Sequence, residues 1–161
     1  MSCNIVRHEN GSVAKVLAPN GKESILYKAL TEDLGLAPET ALKKWAMTQT
    51  RTFKHWFGES AIVDKNGEPK LVYHAGSEAI EVFDKRKSST GFWFTDQKSA
   101  AINMAKFRGL YEDEIQLHPT FLNIKSPKNY KNFWSDFAVV RDSEGNMLEK
   151  SEIIENAYKE G

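Results

Sequence analysis

Residues 71–76 read Leu-Val-Tyr-His-Ala-Gly, and residues 91–96 read Gly-Phe-Trp-Phe-Thr-Asp. The first stretch is typical of a short apolar strand that ends on a histidine and a tight turn. The second begins with glycine, continues through three aromatic residues and ends on a Thr-Asp pair that can cap a helix. A histidine at a strand end beside an aromatic surface can hold a flat, polar ring by a hydrogen bond and by stacking. These two stretches therefore mark the part of the sequence in which a binding site is expected.

The overall composition narrows the class of protein. A length of 161 residues is typical of one domain and leaves room for a small appended subdomain. Its 22 basic and 22 acidic residues cancel, so any contact with nucleic acid would have to come from a local patch. The single cysteine, Cys3, fits a reducing cytosol. No apolar stretch approaches the ~20 residues that span a bilayer, so we expect a cytoplasmic protein without a membrane partner.

Turn residues and apolar periodicity predict a helical N-terminal part. Asn10-Gly11 indicates a hairpin within residues 4–17. Ser24 can cap a helix from Ile25 to about Leu34, which Gly35 ends. A second helical region begins at Pro38 and is closed by Gly58. Its apolar residues recur at three- and four-residue steps and are expected to form one stripe: Leu42, Trp45, Phe53, Trp56 and Phe57.

From residue 61 the pattern changes to one of strands. We expect strands at 61–63 and 70–74 joined by a turn at 64–67, and a strand near 119–125. Helices are predicted from about 96 to 107 and near 151–158. The three aromatic residues at 92–94 are read as part of a strand, in which Trp93 faces away from its two neighbours. The predicted fold class is α+β, with an N-terminal hairpin and a small helical cap at 1–58 and a strand-rich part at 59–161.

Other patterns exclude classes of site. Gly21-Lys22 is followed by Glu23 where a phosphate-binding loop requires serine or threonine, so no nucleotide triphosphate site is predicted there. The four histidines are far apart in the sequence and lack cysteine partners, so we expect no metal site.

Three short motifs, in this order, resemble the NAD-binding core of ADP-ribosyltransferases. Residues 73–76, Tyr-His-Ala-Gly, resemble the Tyr-His-Gly-Thr of the diphtheria-toxin-like (His-Tyr-Glu) branch. Residues 91–95, Gly-Phe-Trp-Phe-Thr, resemble its Gly-Phe-Tyr-x-Thr, and residues 101–105, Ala-x-x-Met-Ala, resemble its Ala-x-x-Tyr-Ala. The segments at 53–60, 66–69 and 121–127 are similar to transferase-like domains of phage and prophage polyproteins. The resemblance implies that residues 59–161 form an ADP-ribosyltransferase-like, NAD-binding core, which is an antiparallel β-sheet with flanking helices.

The resemblance also implies roles for individual residues. His74 would hold the ribose next to nicotinamide, and the backbone at Ala75 would hydrogen-bond the carboxamide. Trp93 takes the position of the first stacking tyrosine and Met104 that of the second. Arg86 lies in a basic loop that would contact the pyrophosphate or an incoming target; a solvated basic turn explains this loop equally well. The NAD-binding residues implied are Tyr73, His74, Ala75, Gly76, Arg86, Trp93, Phe94, Thr95 and Met104.

The third motif of this branch is a glutamate on a late strand, commonly after a Tyr-Asp-Gly turn, and it is not found in this sequence. The catalytic residues implied are His74 and a carboxylate of the last segment, Glu152 or Glu155, with Glu149 as a further candidate. Either the chain is a fragment without the last strands, or the glutamate comes from an unusual position, or the domain is degenerate.

The function implied by the resemblance is transfer of ADP-ribose from NAD, used as a substrate, to a protein or nucleic-acid acceptor. The setting implied is the cytoplasm of a bacterial host cell, where the protein would act as a phage-type effector or toxin. The alternative is a catalytically degenerate domain that acts as a partner-binding or inhibitory module. A third interpretation is a nuclease-like toxin with His74 or His118 as general base.

Overall fold

The computed structural model describes residues 4–84, 86, 91–127 and 144. The chain forms two compact units, one of residues 1–78 and 94–125 and the other of residues 79–93 and 126–161. Every helix and strand described below lies in the first unit. The helix predicted near 151–158 lies outside the described residues. The predicted division of the chain into 1–58 and 59–161 stays a prediction.

The N-terminal hairpin is confirmed. Strand β1 (Ile5–Arg7) pairs antiparallel with β2 (Val13–Val16). Gly11 in the connecting turn has φ +82°, a backbone conformation that glycine adopts without steric cost.

The first predicted helix is present, although its second half is wider than an α-helix. Helix α1 (Ile25–Lys28) continues into a π-helical turn (Ala29–Asp33). The Ser24 hydroxyl accepts a hydrogen bond from the backbone N–H of Tyr27 at 3.0 Å, which confirms the predicted cap.

The second helical region consists of two helices, α2 (Pro38–Gln49) and α3 (Arg51–Phe57). Thr50 between them has the extended conformation (φ −66°, ψ 150°), and its hydroxyl caps α3 by accepting from Phe53 N–H at 3.3 Å. The prediction of one continuous apolar stripe is therefore wrong, because the extended residue Thr50 interrupts the helix. Trp45 is buried at 5% exposure, whereas Trp56 is 49% exposed.

The sheet of the strand-rich part consists of β3 (Val72–Gly76) and β4 (Gln116–Thr120), paired antiparallel. The predicted strand at 119–125 thus begins earlier and ends at Thr120. The predicted hairpin around 64–67 is reduced to single contacts, among them a bridge between Val63 and Pro69.

Residues 91–94 are irregular, so the strand predicted for the three aromatic residues is wrong; Thr95 alone bridges to β3. The chain then enters α4 (Lys98–Phe107), close to the predicted range. Ala101 and Ala105 of α4 are buried in the same core as Tyr73 and Ala75 of β3. A 3₁₀ turn (Glu112–Glu114) precedes β4. Four helices and two small antiparallel sheets confirm the mixed α+β class for the described part of the chain. None of the described helices is long and apolar enough to cross a membrane.

Candidate functional site

Pro119 fixes which backbone groups of β3 remain available. Proline has no N–H, so the Tyr73–Pro119 pair of the ladder cannot be one that exchanges backbone hydrogen bonds. Tyr73 instead uses its N–H and C=O on the opposite edge, where both bond to Thr95 at 2.7 and 3.1 Å. The strand β3 is therefore flanked by β4 on one edge and by Thr95 on the other.

The backbone of Ala75 points to the same edge as that of Tyr73, because N–H and C=O groups alternate between edges along a strand. The bridge to Thr95 is isolated and does not extend to Ala75. Within the described residues, no backbone hydrogen bond engages the N–H or C=O of Ala75. Such an edge can bind an amide through one donor and one acceptor.

His74 lies on the face of β3 opposite the core. Side chains alternate along a strand, so Tyr73 and Ala75 face the core and His74 points away from it. The His74 residue is nevertheless buried, at 8% exposure. Its ring centroid lies 5.7 Å from that of Phe94 and 6.1 Å from that of His118. A Cβ at position 76 would lie 3.6 Å from the Nε2 atom of His74, which is an ordinary van der Waals distance, so Gly76 lies next to this nitrogen.

His118 lies beside His74, a pairing that the sequence does not predict. The two histidines are direct cross-strand partners, and cross-strand partners on one face of a sheet lie side by side. The Nε2 atom of His118 is 2.9 Å from the carbonyl oxygen of Glu78. The feature of the sequence that could have indicated this pairing is Pro119 in His118-Pro119-Thr120, because a proline within a strand indicates an edge position and restricts the register.

The side chain of Tyr73 lies on the core side of β3. Its hydroxyl donates a hydrogen bond to Oδ2 of Asp33 at 3.2 Å. Burial raises the pKa of the Tyr73 phenol well above its ordinary value, and the negative charge of Asp33 adds to the rise. The phenol therefore stays protonated and joins β3 to the end of the π-helical turn.

The residues of the second and third motifs have different surroundings. Phe94 is half-buried beside His74, and Thr95 both bridges to β3 and accepts the N–H of Gln97 at 3.2 Å, just before α4. Met104 lies on α4, which packs against the core face of β3, and its side chain is exposed. The stacking role of Met104 stays a prediction.

Two further predicted residues, Trp93 and Arg86, lie in the second unit. Trp93 is exposed to solvent. In the same unit, the guanidinium of Arg86 forms a two-pronged ion pair with Asp84, with an Nη2–Oδ2 distance of 2.7 Å. This pair holds the guanidinium next to its own loop, and contact with a pyrophosphate stays a prediction.

The carboxylates implied for catalysis, Glu149, Glu152 and Glu155, lie outside the described residues. Within the described part of the chain, no group of three or more His, Cys, Asp or Glu residues is arranged to hold a metal ion.

Residues 64–160, more than half of the chain, match the model of a family described as ADP-ribosyltransferase in polyvalent proteins. The chain belongs to this family. The matched range of the ADP-ribosyltransferase domain includes β3, α4 and β4, and it extends through the segment that contains Glu152 and Glu155. Neither a curated protein nor a solved structure matches the chain.

Proposed function

We propose that this protein transfers ADP-ribose from NAD to a protein or nucleic-acid acceptor. We place the activity in the cytoplasm of a bacterial host cell, where the protein acts as a phage-type effector or toxin. The observation that carries the proposal concerns two neighbouring residues near the end of β3, His74 and Ala75. There, a buried histidine is followed by a residue whose backbone N–H and C=O have no backbone partner within the described residues. The membership of the chain in an ADP-ribosyltransferase family supports the proposal.

The nicotinamide half of NAD binds at the edge of β3. The carboxamide of nicotinamide has one acceptor and two donor positions. Its oxygen accepts a hydrogen bond from the N–H of Ala75 and its NH2 group donates one to the C=O of Ala75, as the backbone of an added strand would. His74, on the adjacent face, hydrogen-bonds a hydroxyl of the neighbouring ribose. Phe94, whose ring lies 5.7 Å from that of His74, limits the movement of the imidazole. Trp93 stacks on the nicotinamide ring and Met104 supports it, because both an indole and a thioether attract a flat ring. Arg86 contacts the pyrophosphate after exchanging its partner Asp84 for the ligand.

The reaction breaks the glycosidic bond between nicotinamide and C1′ of the ribose. The bonding electron pair leaves with the nicotinamide nitrogen, which neutralises its positive charge, while the ribose develops oxocarbenium character. A nucleophilic atom of the acceptor then forms the new bond to C1′ and loses its proton. A carboxylate from the last segment, Glu152 or Glu155, stabilises the positive sugar and orients the acceptor, a contribution of about 10²–10³ in rate for one preorganised group.

The activity is tested by incubating the full chain with ³²P-labelled NAD and separate protein and RNA acceptor mixtures. We expect labelled acceptor with the unaltered chain, and loss of nearly all labelling with His74→Ala. The isosteric variants Glu149→Gln, Glu152→Gln and Glu155→Gln identify the carboxylate, since one of them should reduce the rate by about 10²–10³. Labelling that survives all three substitutions together would place the catalytic carboxylate elsewhere.

The degenerate alternative has one observation in its favour, the exposed methionine at position 104 where the family pattern has a tyrosine. It predicts that the chain binds NAD, or a partner, without transferring ADP-ribose. Absence of labelling in both acceptor mixtures, together with measurable NAD binding, would support this alternative and contradict the transferase proposal.

A further inference from the structure

Charge is distributed unevenly within this neutral chain. Residues 40–58 contain four lysine or arginine residues and one histidine but no acidic residue, whereas the whole chain has 22 basic and 22 acidic residues. The four cationic residues are Lys43, Lys44, Arg51 and Lys54. This stretch corresponds to most of α2 and all of α3. A local basic surface therefore exists without any net charge on the protein.

The cations of this surface are available to a ligand. All four side chains are exposed, and within the described part of the chain none of them forms an ion pair or a side-chain hydrogen bond. The salt bridges that the structure does contain involve other basic residues, for example Arg7 with Glu39 at 2.7 Å. Like charges that are left uncompensated on adjacent helices repel each other, and a polyanion removes this repulsion.

A groove with an aromatic wall lies beside Lys44. Its volume is about 390 Å³, within the range of small-molecule sites, of the order of 300–1,000 Å³. Trp56 of α3 and Met47 of α2 line the groove and remain half-exposed. Lys44 is the one charged residue among its described lining residues.

Trp56 is exposed but held in place. Its ring meets the ring of Phe53 edge-on at 5.5 Å, and Phe53 in turn meets Phe121 edge-on at 5.3 Å. The side-chain amide of Asn123 donates to the backbone carbonyl of Trp56 at 2.6 Å. An indole fixed in this way presents an aromatic surface to solvent without the entropy cost of ordering a free side chain.

The spacing of the cations suits a chain of phosphates. Lys43 and Lys44 lie one helical turn before Met47 on the exposed side of α2, and Arg51 opens α3 one turn before Lys54 and His55. Side chains one turn apart on a helix are separated by about 5–6 Å at their Cβ atoms. Among the cations, Arg51 and Lys54 have this separation, whereas Lys43 and Lys44 are neighbours in the sequence. The flexible side chains of each pair can reach successive phosphates of one strand.

We infer that the α2–α3 surface, formed by Lys43, Lys44, Met47, Arg51 and Trp56, binds single-stranded nucleic acid. One base stacks on Trp56 in the groove, while Lys43, Lys44 and Arg51 contact the backbone phosphates. Stacking and unpaired cations are the two components of sequence-tolerant single-strand binding. A protein partner would contact the groove through apolar side chains. Unless that partner were acidic, it would not account for the positive charge of the surface. The inference requires no NAD and is independent of the proposed transferase activity.

The test is fluorescence anisotropy of a labelled oligo(dT) of about 12 nucleotides, titrated with the full chain at low salt and again at higher salt. Binding should weaken linearly on a log–log plot as salt rises. We expect Trp56→Leu to weaken binding about tenfold, and Trp56→Phe, which keeps an aromatic face, to retain most of it. The double variant Lys43→Glu/Lys44→Glu should bind more weakly and show a shallower salt dependence.

Arg108→Glu is the matched control, because Arg108 is an exposed arginine at the end of α4 without an ion pair in the described part of the chain. It should bind the oligonucleotide nearly as the unaltered chain does. Thermal unfolding of every variant separates loss of binding from loss of fold. Undetectable binding at low salt, or equal losses in the control and the double variant, would overturn the inference. A labelled oligoglutamate peptide that binds with equal affinity and the same dependence on Trp56 would also overturn it, in favour of an acidic protein partner.

Discussion

Glu68 is the clearest case of one residue whose surroundings alter its chemistry. The residue is 2% exposed, and one carboxylate oxygen, Oε2, accepts a hydrogen bond from the indole N–H of Trp45 at 2.7 Å. The other oxygen, Oε1, and Oδ2 of the nearby Asp64 are buried without a hydrogen-bond partner in the described part of the chain. Burial raises the pKa of the Glu68 carboxyl, and the charge of Asp64 raises it further, although the neighbouring side chains of Ser24 and Trp45 lower it.

This shift predicts a loss of stability as the pH rises. Between the pKa of the unfolded carboxyl, near 4.5, and the higher pKa in the folded state, the folded chain binds more protons than the unfolded one. The free energy of unfolding therefore decreases through that window and stays lower above it. Glu68→Gln keeps an acceptor for Trp45 and removes the titration, so its stability should depend less on pH. Urea unfolding at a series of pH values measures this, and an unchanged pH dependence in Glu68→Gln would contradict the assignment.

At the scale of the element, the break at Thr50 decides which tryptophan supports the fold. Trp45 on α2 is buried in the core, whereas half of Trp56 on α3 remains in water. Trp45→Ala should lower the free energy of unfolding by about 3–5 kcal/mol, because it removes a large core side chain and the partner of Glu68. Trp56→Ala should cost about 1 kcal/mol or less. Chemical denaturation of the two variants gives the comparison, and equal losses would show that the two helices share one buried stripe after all.

Elements with strong local signals could be predicted from the sequence, and those fixed by distant contacts could not. The turn at Gly11, the Ser24 cap and the range of α4 follow from neighbouring residues and are confirmed. The break at Thr50 was missed because threonine also fits a helix interior, so the apolar period passes through it in the sequence. The limits of β4 were missed because its pairing partner lies far away in the chain.

At the scale of the whole molecule, the candidate site depends on long-range register. The sequence predicts His74 as a site residue. Through the order of its motifs it also predicts the class of protein, and the family match confirms this class. The sequence does not reveal that His118 lies opposite His74 or that the backbone N–H and C=O of Ala75 point away from β4, because both follow from the antiparallel pairing of β3 with β4. The buried carboxyl of Glu68 has no sequence signature either, because an acidic residue in a polar turn is ordinarily solvated.

The central claim is that the edge of β3 at Ala75 binds the nicotinamide end of NAD. The most direct measurement is a titration of the ¹⁵N-labelled full chain with NAD and, separately, with ADP-ribose, which lacks nicotinamide, observed by the backbone amide resonances. We predict that the Ala75 amide shifts with NAD and stays in place with ADP-ribose, and that His74→Ala weakens the response to NAD. An Ala75 amide that remains unmoved when other resonances show saturation by NAD would contradict the account.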